Sequence, residues 1–189
     1  MELQQAIYGR RSVRDYLNKP IPRETVESLL TDAVQAPNSM DRQAWSFVVI
    51  QGRKRLARYS RDALASLPSE LDPAVARIVA NPAFDIFYNA PLLVVICATL
   101  PDPMVRHDCA LAAATLMLAA HGQGVGSCWI GFSEPWLSLP ATHRELGIPK
   151  DQVAVAPIIL GYPAAASQPR PRKKPPIRWI GDDEGALRT

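Results

Sequence analysis

Cysteine is scarce in this chain of 189 residues, which has three: Cys97, Cys109 and Cys128. No pair has C-x-x-C spacing and each lies in or beside an apolar run, which argues against a disulfide framework or zinc site and for a reducing compartment. Histidine is equally scarce: His107, His121 and His143 form no H-x-x-x-H or carboxylate arrangement at metal spacing. An excess of charge of one sign is missing too, with 21 Lys and Arg against 18 Asp and Glu, so total charge gives no argument for nucleic acid. The longest apolar stretches, PLLVVICATL and CALAAATLMLAA, fall short of the roughly 18 residues of a membrane span. The opening segment MELQQAIYGRRSVRDY has no signal-peptide core, and a cytoplasmic location is expected.

Familiar chemical signatures are also lacking. There is no G-x-S-x-G elbow and no P-loop. Gly122, Gly124 and Gly126 follow a helical segment, whereas a dinucleotide fingerprint needs strand, glycines and helix in that order. Without a nucleophile, a metal set or an acid–base pair, a bound cofactor becomes the source of reactivity.

What is present is a core. Hydrophobic residues make up 48% of the chain, ordinary for one soluble domain. A short helix is read over residues 2–8 and a second from Arg23, ending by Ala36 because Pro37 disfavours helix before it. Residues 46–50 read as a strand, 92–98 as a strand buried on both faces, 104–121 as a central apolar helix, and 153–160 as a last strand. Residues 127–132 look extended, and 134–146 carry a short helical piece. Helical patterns over residues 53–80 are expected to be broken at Pro68 and Pro73. After Pro163 the chain becomes proline-rich, and Ile177, Trp179 and Ile180 are its apolar residues that need burial. Core residues 1–163 and an arm of residues 164–189 are therefore expected, within one domain of layered α and β elements.

Two basic clusters frame this core. Arg10, Arg11, Ser12 and Arg14 follow the first helix; Arg170, Arg172, Lys173 and Lys174 lie in the arm. Guanidinium groups and a hydroxyl offer forked donors for phosphate or an electron-rich ring edge.

The segments GRRSVRDY, APNSMDRQAWSFVVI, FYNAPLLVVIC, GVGSCWIGF, IILGYP and PRPRKKP occur in one order along the chain. In that order they resemble the nitroreductase family of FMN-dependent NAD(P)H oxidoreductases, from about residue 2 to 176. The resemblance implies an α+β fold, a mixed β-sheet flanked by helices, and an intertwined homodimer with an exchanged C-terminal arm. It implies FMN at the subunit interface and NADH or NADPH as electron donor. Nitroaromatics, quinones or similar small acceptors would be reduced in a ping-pong reaction, with no nucleic acid or membrane as partner. Other flavin chemistry stays open on the same scaffold (dehydrogenation, reductive dehalogenation, flavin destruction), as does a non-catalytic flavin-binding sensor.

The resemblance also assigns residues. Arg10, Arg11, Ser12 and Arg14 would hold the flavin, Arg10 towards the phosphate and ribityl chain and Arg14 near N1 and O2, where a cation stabilises developing negative charge. Pro37, Asn38, Ser39, Asp41 and Gln43 would lie against a flavin bound mainly by the other subunit. This loop departs from the family pattern, with Asn38 for Ser, Asp41 for Asn and Ala44 for Pro; Arg42 either replaces the lost amide donor or pairs with Asp41. Cys128, Trp129, Ile130 and Gly131 would pass the flavin edge, the amides of Ile130 and Gly131 donating to it and Cys128 packing on the ring. Arg172, Lys173 and Lys174 would clamp the phosphate. Tyr59, Leu67, Ile78 and Phe84 are the residues that reach an acceptor or else belong to the core.

Overall fold

A computed structural model describes residues 1–166 and 171–180. In chain order the elements are α1 (Leu3–Gly9), α2 (Arg23–Ala33), β1 (Trp45–Gln51), α3 (Arg53–Ala65), α4 (Pro73–Val79) and β2 (Leu92–Ala98). They continue with α5 (Pro103–Gly122), β3 (Gly126–Trp129), α6 (Glu134–Leu137), α7 (Pro140–Leu146) and β4 (Val153–Gly161). Their starts follow local chemistry. Pro103 takes the first position of α5, where a missing N–H is harmless, and the Asp102 carboxylate accepts the Met104 N–H at 2.9 Å. Pro73 does the same for α4, capped by Asp72. The expected break at Pro73 is therefore a helix start, since proline fits the first turn.

The sheet has the order β1–β2–β4–β3. Its centre, β2, is buried at all seven positions. The two-residue period divides it: Leu92, Val94, Ile96 and Ala98 pack with α2 and α5, and Leu93, Val95 and Cys97 pack with α3 and α6 on the other face. A helix layer on each face explains the unbroken apolar run. The expected mixed sheet is corrected, for all three ladders are antiparallel. Among the described residues the parallel pairing is a single bridge, Ser12–Ser127. A continuous apolar run reports burial on both faces and carries no information on strand direction.

Beside β3, the segment that follows α1 docks on the sheet edge. The Val13 N–H donates to the Ser127 carbonyl at 3.0 Å and the Leu17 N–H to the Tyr162 carbonyl at 2.9 Å. The Tyr16 hydroxyl donates to the Val13 carbonyl at 2.6 Å, and the Arg53 guanidinium donates to the carbonyls of Tyr16 and Leu17. This approach requires glycine in two places. A Cβ at Gly126 would lie 2.9 Å from Val13, and one at Gly161 would lie 2.5 Å from the buried Tyr16 ring and 2.8 Å from Pro91. Gly161→Ala is expected to destabilise the fold by about 1–3 kcal/mol, the ordinary range for overpacking a tight site. Urea denaturation of the variant beside the parent measures it, and an unchanged midpoint would contradict the tight-contact account.

Candidate functional site

The docked segment brings part of the first motif to the end of β3. Arg14, Trp129, Ile130 and Gly131 line one cavity of about 160 Å³, closed by Ile86, Tyr88 and Phe132. Arg14 is the one charged residue among these, and no carboxylate, histidine or thiol lines the cavity, so it offers a fixed cation and no acid–base pair. Extended backbone sends alternate side chains to opposite sides. Arg11 and Val13 accordingly line a different cavity, of about 510 Å³, with His121, Ser127 and Arg10, the cap of α1 that precedes the extended stretch. Burial, and after it the charges of Arg10 and Arg11, hold the His121 pKa below its ordinary value.

Cys128 is 1% exposed and lines neither cavity. Burial raises its thiol pKa; the charge of Arg14, a Ser12 hydrogen bond and the charge of Arg10 offset part of the rise. The first motif and Cys128 thus share one electrostatic environment. The amides behave differently from expectation. The Ile130 N–H is engaged by the Pro157 carbonyl at 2.9 Å, which overturns its assignment as a donor to a ligand. Gly131 opens a 3-10 turn, residues 131–133, and the first amide of such a turn has no intrahelical acceptor. A Cβ built at Gly131 meets nothing nearer than Glu134 at 3.8 Å, so glycine there is not demanded by the chain's own packing. The missing side chain leaves room for a ligand edge to approach the backbone.

The second-motif loop is rigid and inwardly bonded. Ser39 donates to the buried Asp108 carboxylate from both its N–H and its hydroxyl, each at 3.1 Å. Asn38 Oδ1 accepts the Gln43 N–H at 2.9 Å, and Gln43 Nε2 donates to Asp41 at 2.9 Å. Arg42 pairs with Asp102 at 2.6 Å, so of its two expected roles the pairing with Asp41 is not the one formed. The Asp102 carboxylate is held below its usual range, first by the Met104 N–H and then by Arg42. Pro37, Asp41 and Gln43 are exposed, and this loop lines neither cavity described above.

Of the four residues expected to reach an acceptor, Tyr59 is buried against Trp136 and donates its hydroxyl to Glu145 at 3.1 Å. It is a core residue. Ile78 is exposed on α4 and Leu67 half-buried, and neither lines the Arg14 cavity. Phe84 meets it indirectly, edge-on to Tyr88 with ring centroids 5.7 Å apart. Ile86 and Tyr88 were missed as lining residues, although the FYNAP segment that contains Tyr88 was the available signal. Arg172, Lys173 and Lys174 are exposed; Arg170 lies outside the described residues, as do residues 167–169 and 181–189 of the expected arm. Among the described residues no cluster of His, Cys, Asp or Glu is placed to hold a metal, and no helix is long and apolar enough to cross a membrane.

A family model described as the nitroreductase family matches residues 7–162. A protein of Archaeoglobus fulgidus, provisionally named NADH dehydrogenase/NAD(P)H nitroreductase, is 31% identical over 167 residues, covering 86% of each chain. A 5,6-dimethylbenzimidazole synthase of Rhodospirillum rubrum is 32% identical over 174 residues, 82% of this chain and 78% of the relative. An FMN-bound nitroreductase of Bacteroides fragilis has the same fold, with a TM-score of 0.83 and 26% identity over 96% of this chain and 100% of that one.

The thiols give a direct check on Cys128 as a packing residue. Burial pushes Cys97 up to about 11 and Cys109 up to about 12, and raises Cys128 as well, so all three stay protonated near neutrality. A thiol-specific disulfide reagent at pH 8 is expected to label none of them in the native chain and all three after denaturation. Rapid labelling of one native thiol would show that Cys128 is accessible and reactive.

Proposed function

This chain belongs to the nitroreductase family, and from that membership we propose that it is an FMN-dependent oxidoreductase. In this reading it draws electrons from NADH or NADPH and reduces nitroaromatics, quinones or related small acceptors. The observation that carries the reading is the cavity that Arg14 and Gly131 both line. One cation, one backbone amide with no acceptor among the described residues, and no carboxylate, histidine or thiol suit a planar cofactor with an electron-rich edge better than hydrolysis or metal chemistry. When bound, FMN supplies the redox chemistry by exchanging two electrons.

The chain supplies position and charge. Arg14 offers a permanent cation beside the ring, favouring any negative charge that develops there. The Gly131 N–H is the backbone donor for the ring edge, while Ser12 and Arg10 extend the donor set towards the phosphate. Arg11 lines the larger cavity together with Arg10 and adds its charge on that side. Trp129 forms the apolar wall, and Cys128 is buried in the core on the opposite face of β3. The loop of Pro37, Asn38, Ser39, Asp41 and Gln43 closes the site from a second copy, and Arg172, Lys173 and Lys174 add cations for the phosphate. A cavity of about 160 Å³ is smaller than the roughly 300 Å³ at which ligand pockets begin, which supports a site completed by a homodimer. Ile177, Trp179 and Ile180 are 60%, 86% and 93% exposed on the single chain, as an arm that packs on a partner requires. Three buried free thiols accord with a cytoplasmic location.

Purified chain is expected to be yellow, dimeric by light scattering, and reduced anaerobically by a pyridine nucleotide, with parallel double-reciprocal plots against an acceptor. Arg14→Gln should weaken FMN binding by about 10- to 100-fold, the worth of one charged hydrogen bond. A colourless chain that takes up no FMN would overturn the proposal, and intersecting plots would overturn the ping-pong order.

A second reading has one observation behind it, the 32% identity to a 5,6-dimethylbenzimidazole synthase. Analysis of FMN after aerobic incubation with reductant separates the two, because consumption of the flavin itself would favour the second. The cover of the site bears on breadth. The resemblance implies that the segment from Gly52 to about Phe84 covers the flavin; its helix α4 has no buried residue, and a lightly packed cover discriminates poorly. A panel of nitroaromatics and quinones should therefore span less than about a thousandfold in kcat/KM, roughly 4 kcal/mol; one acceptor exceeding the rest by more would reveal a selective pocket.

A further inference from the structure

Residues 85–90, just before β2, hold a turn that runs into the FYNAPLLVVIC segment. Tyr88 and Asn89 are consecutive non-glycine residues in the left-handed region, at φ 53° and 54°. Such a conformation persists only where its surroundings enforce it. Here one residue does so with three bonds. The Asp85 carboxylate accepts the Phe87 N–H at 2.9 Å through one oxygen and the Asn89 N–H at 2.8 Å through the other, and its carbonyl accepts the Tyr88 N–H at 2.9 Å. The turn is anchored to α3 by the Ile86 N–H, which donates to the buried Ser60 hydroxyl at 3.0 Å, and by the fully buried Phe87.

The product of this bracing is the place of one ring. Tyr88 stands edge-on to Phe84 and has the Arg14 guanidinium carbon 5.7 Å from its centroid. Among the described residues no carboxylate or carbonyl receives a hydrogen bond from Arg14, so the ring face is its described restraint. An aromatic face holds a guanidinium without neutralising its charge or using its N–H donors. A carboxylate in that position would do both.

We propose that Asp85 and Tyr88 are positioning residues for Arg14: the braced turn presents the Tyr88 ring, and the ring holds the guanidinium ready beside Gly131. A restrained arginine loses less side-chain freedom when the cofactor binds. The proposal rests on the flavin reading above.

FMN affinity, measured by quenching of flavin fluorescence, tests it in a double-mutant cycle. Tyr88→Ala and Asp85→Ala should each weaken binding about threefold to tenfold, and Tyr88→Phe, which keeps the ring, less than twofold. In the Arg14→Gln background, Tyr88→Ala should have no further effect. An equal loss in both backgrounds would mean a merely structural role and overturn the proposal, as would full affinity in Tyr88→Ala. Hydrogen exchange of the cofactor-free chain is the second measurement, with faster exchange at the Phe87 and Asn89 amides in Asp85→Ala expected and unchanged exchange refuting the brace. Failure of the parent chain to bind FMN at all would sink the flavin reading and this proposal's link to it, and the exchange result would still decide the brace.

Discussion

The candidate site depends on a contact between backbones. Residues 12–17 lie against the β3 edge and the end of β4, and they can do so because Gly126 and Gly161 present no side chain to Val13, Pro163, Tyr16 and Pro91. With that approach made, the Val13 and Leu17 amides find carbonyls on the sheet and Tyr16 is buried over them. Arg14 is then carried to the cavity at the end of β3 by two-residue alternation alone. Were the segment held a few ångströms further out, the cation and the Gly131 backbone would no longer share a pocket. The hydroxyl of Tyr16 reinforces the arrangement: burial lifts its pKa far above the ordinary phenol value, so it remains a neutral donor to the Val13 carbonyl.

Backbone strain is distributed in the same region of function. Among the described residues, the non-glycine residues with positive φ are Met40, Asp41, Gln43, Tyr88 and Asn89. They fall in two loops, one assigned to the cofactor by resemblance and the other bordering the Arg14 cavity. In each, a carboxylate compensates for the strain, Asp108 through Ser39 and Asp85 through the amides of Phe87 and Asn89. Turns fixed in this way are formed before a ligand arrives, and preorganisation lowers the ordering cost of binding.

The elements were legible in the sequence wherever burial imposed a period. The run of residues 92–98 announced a doubly buried strand, and residues 104–121 a central helix, because an apolar segment of either kind has one place to go in a layered domain. Strand direction was not legible, since pairing is set by the crossovers and leaves no mark on the run itself. The basic cluster was legible as a cluster, but which arginine faces which cavity was decided by the Ser12–Ser127 bridge, a contact across more than a hundred residues. For the same reason the Ile130 amide was misread, because its acceptor, Pro157, belongs to a strand that arrives later in the chain. Tyr59 and Phe84 carry no local mark that tells them apart in the sequence; only packing separated the one bound to Glu145 from the one leaning on Tyr88. Pro73 was misread as a break because proline signals helix start and helix stop with the same residue, and only the cap at Asp72 tells them apart.

The single chain is unfinished in a patterned way. Its apolar arm residues Ile177, Trp179 and Ile180 are in solvent, the arm's cations are exposed, and the loop of Asn38, Ser39 and Gln43 lines neither described cavity. These are the parts that the proposed dimer would bring to the Arg14 cavity. An apolar surface of this kind is costly to leave in water and is relieved by association. Folding, assembly and cofactor binding would then be linked equilibria. FMN that binds only the assembled form stabilises the assembly by mass action, and dilution of the chain releases the flavin. The rigid half of the site, built from β3, the docked segment and the braced turn, is complete in one copy. The half that varies from the family pattern, with Asp41 and Ala44, lies on the loop assigned to the other. Variation concentrated there would alter what meets the exposed side of a bound flavin while the cation and the backbone donor proposed for its edge stay fixed.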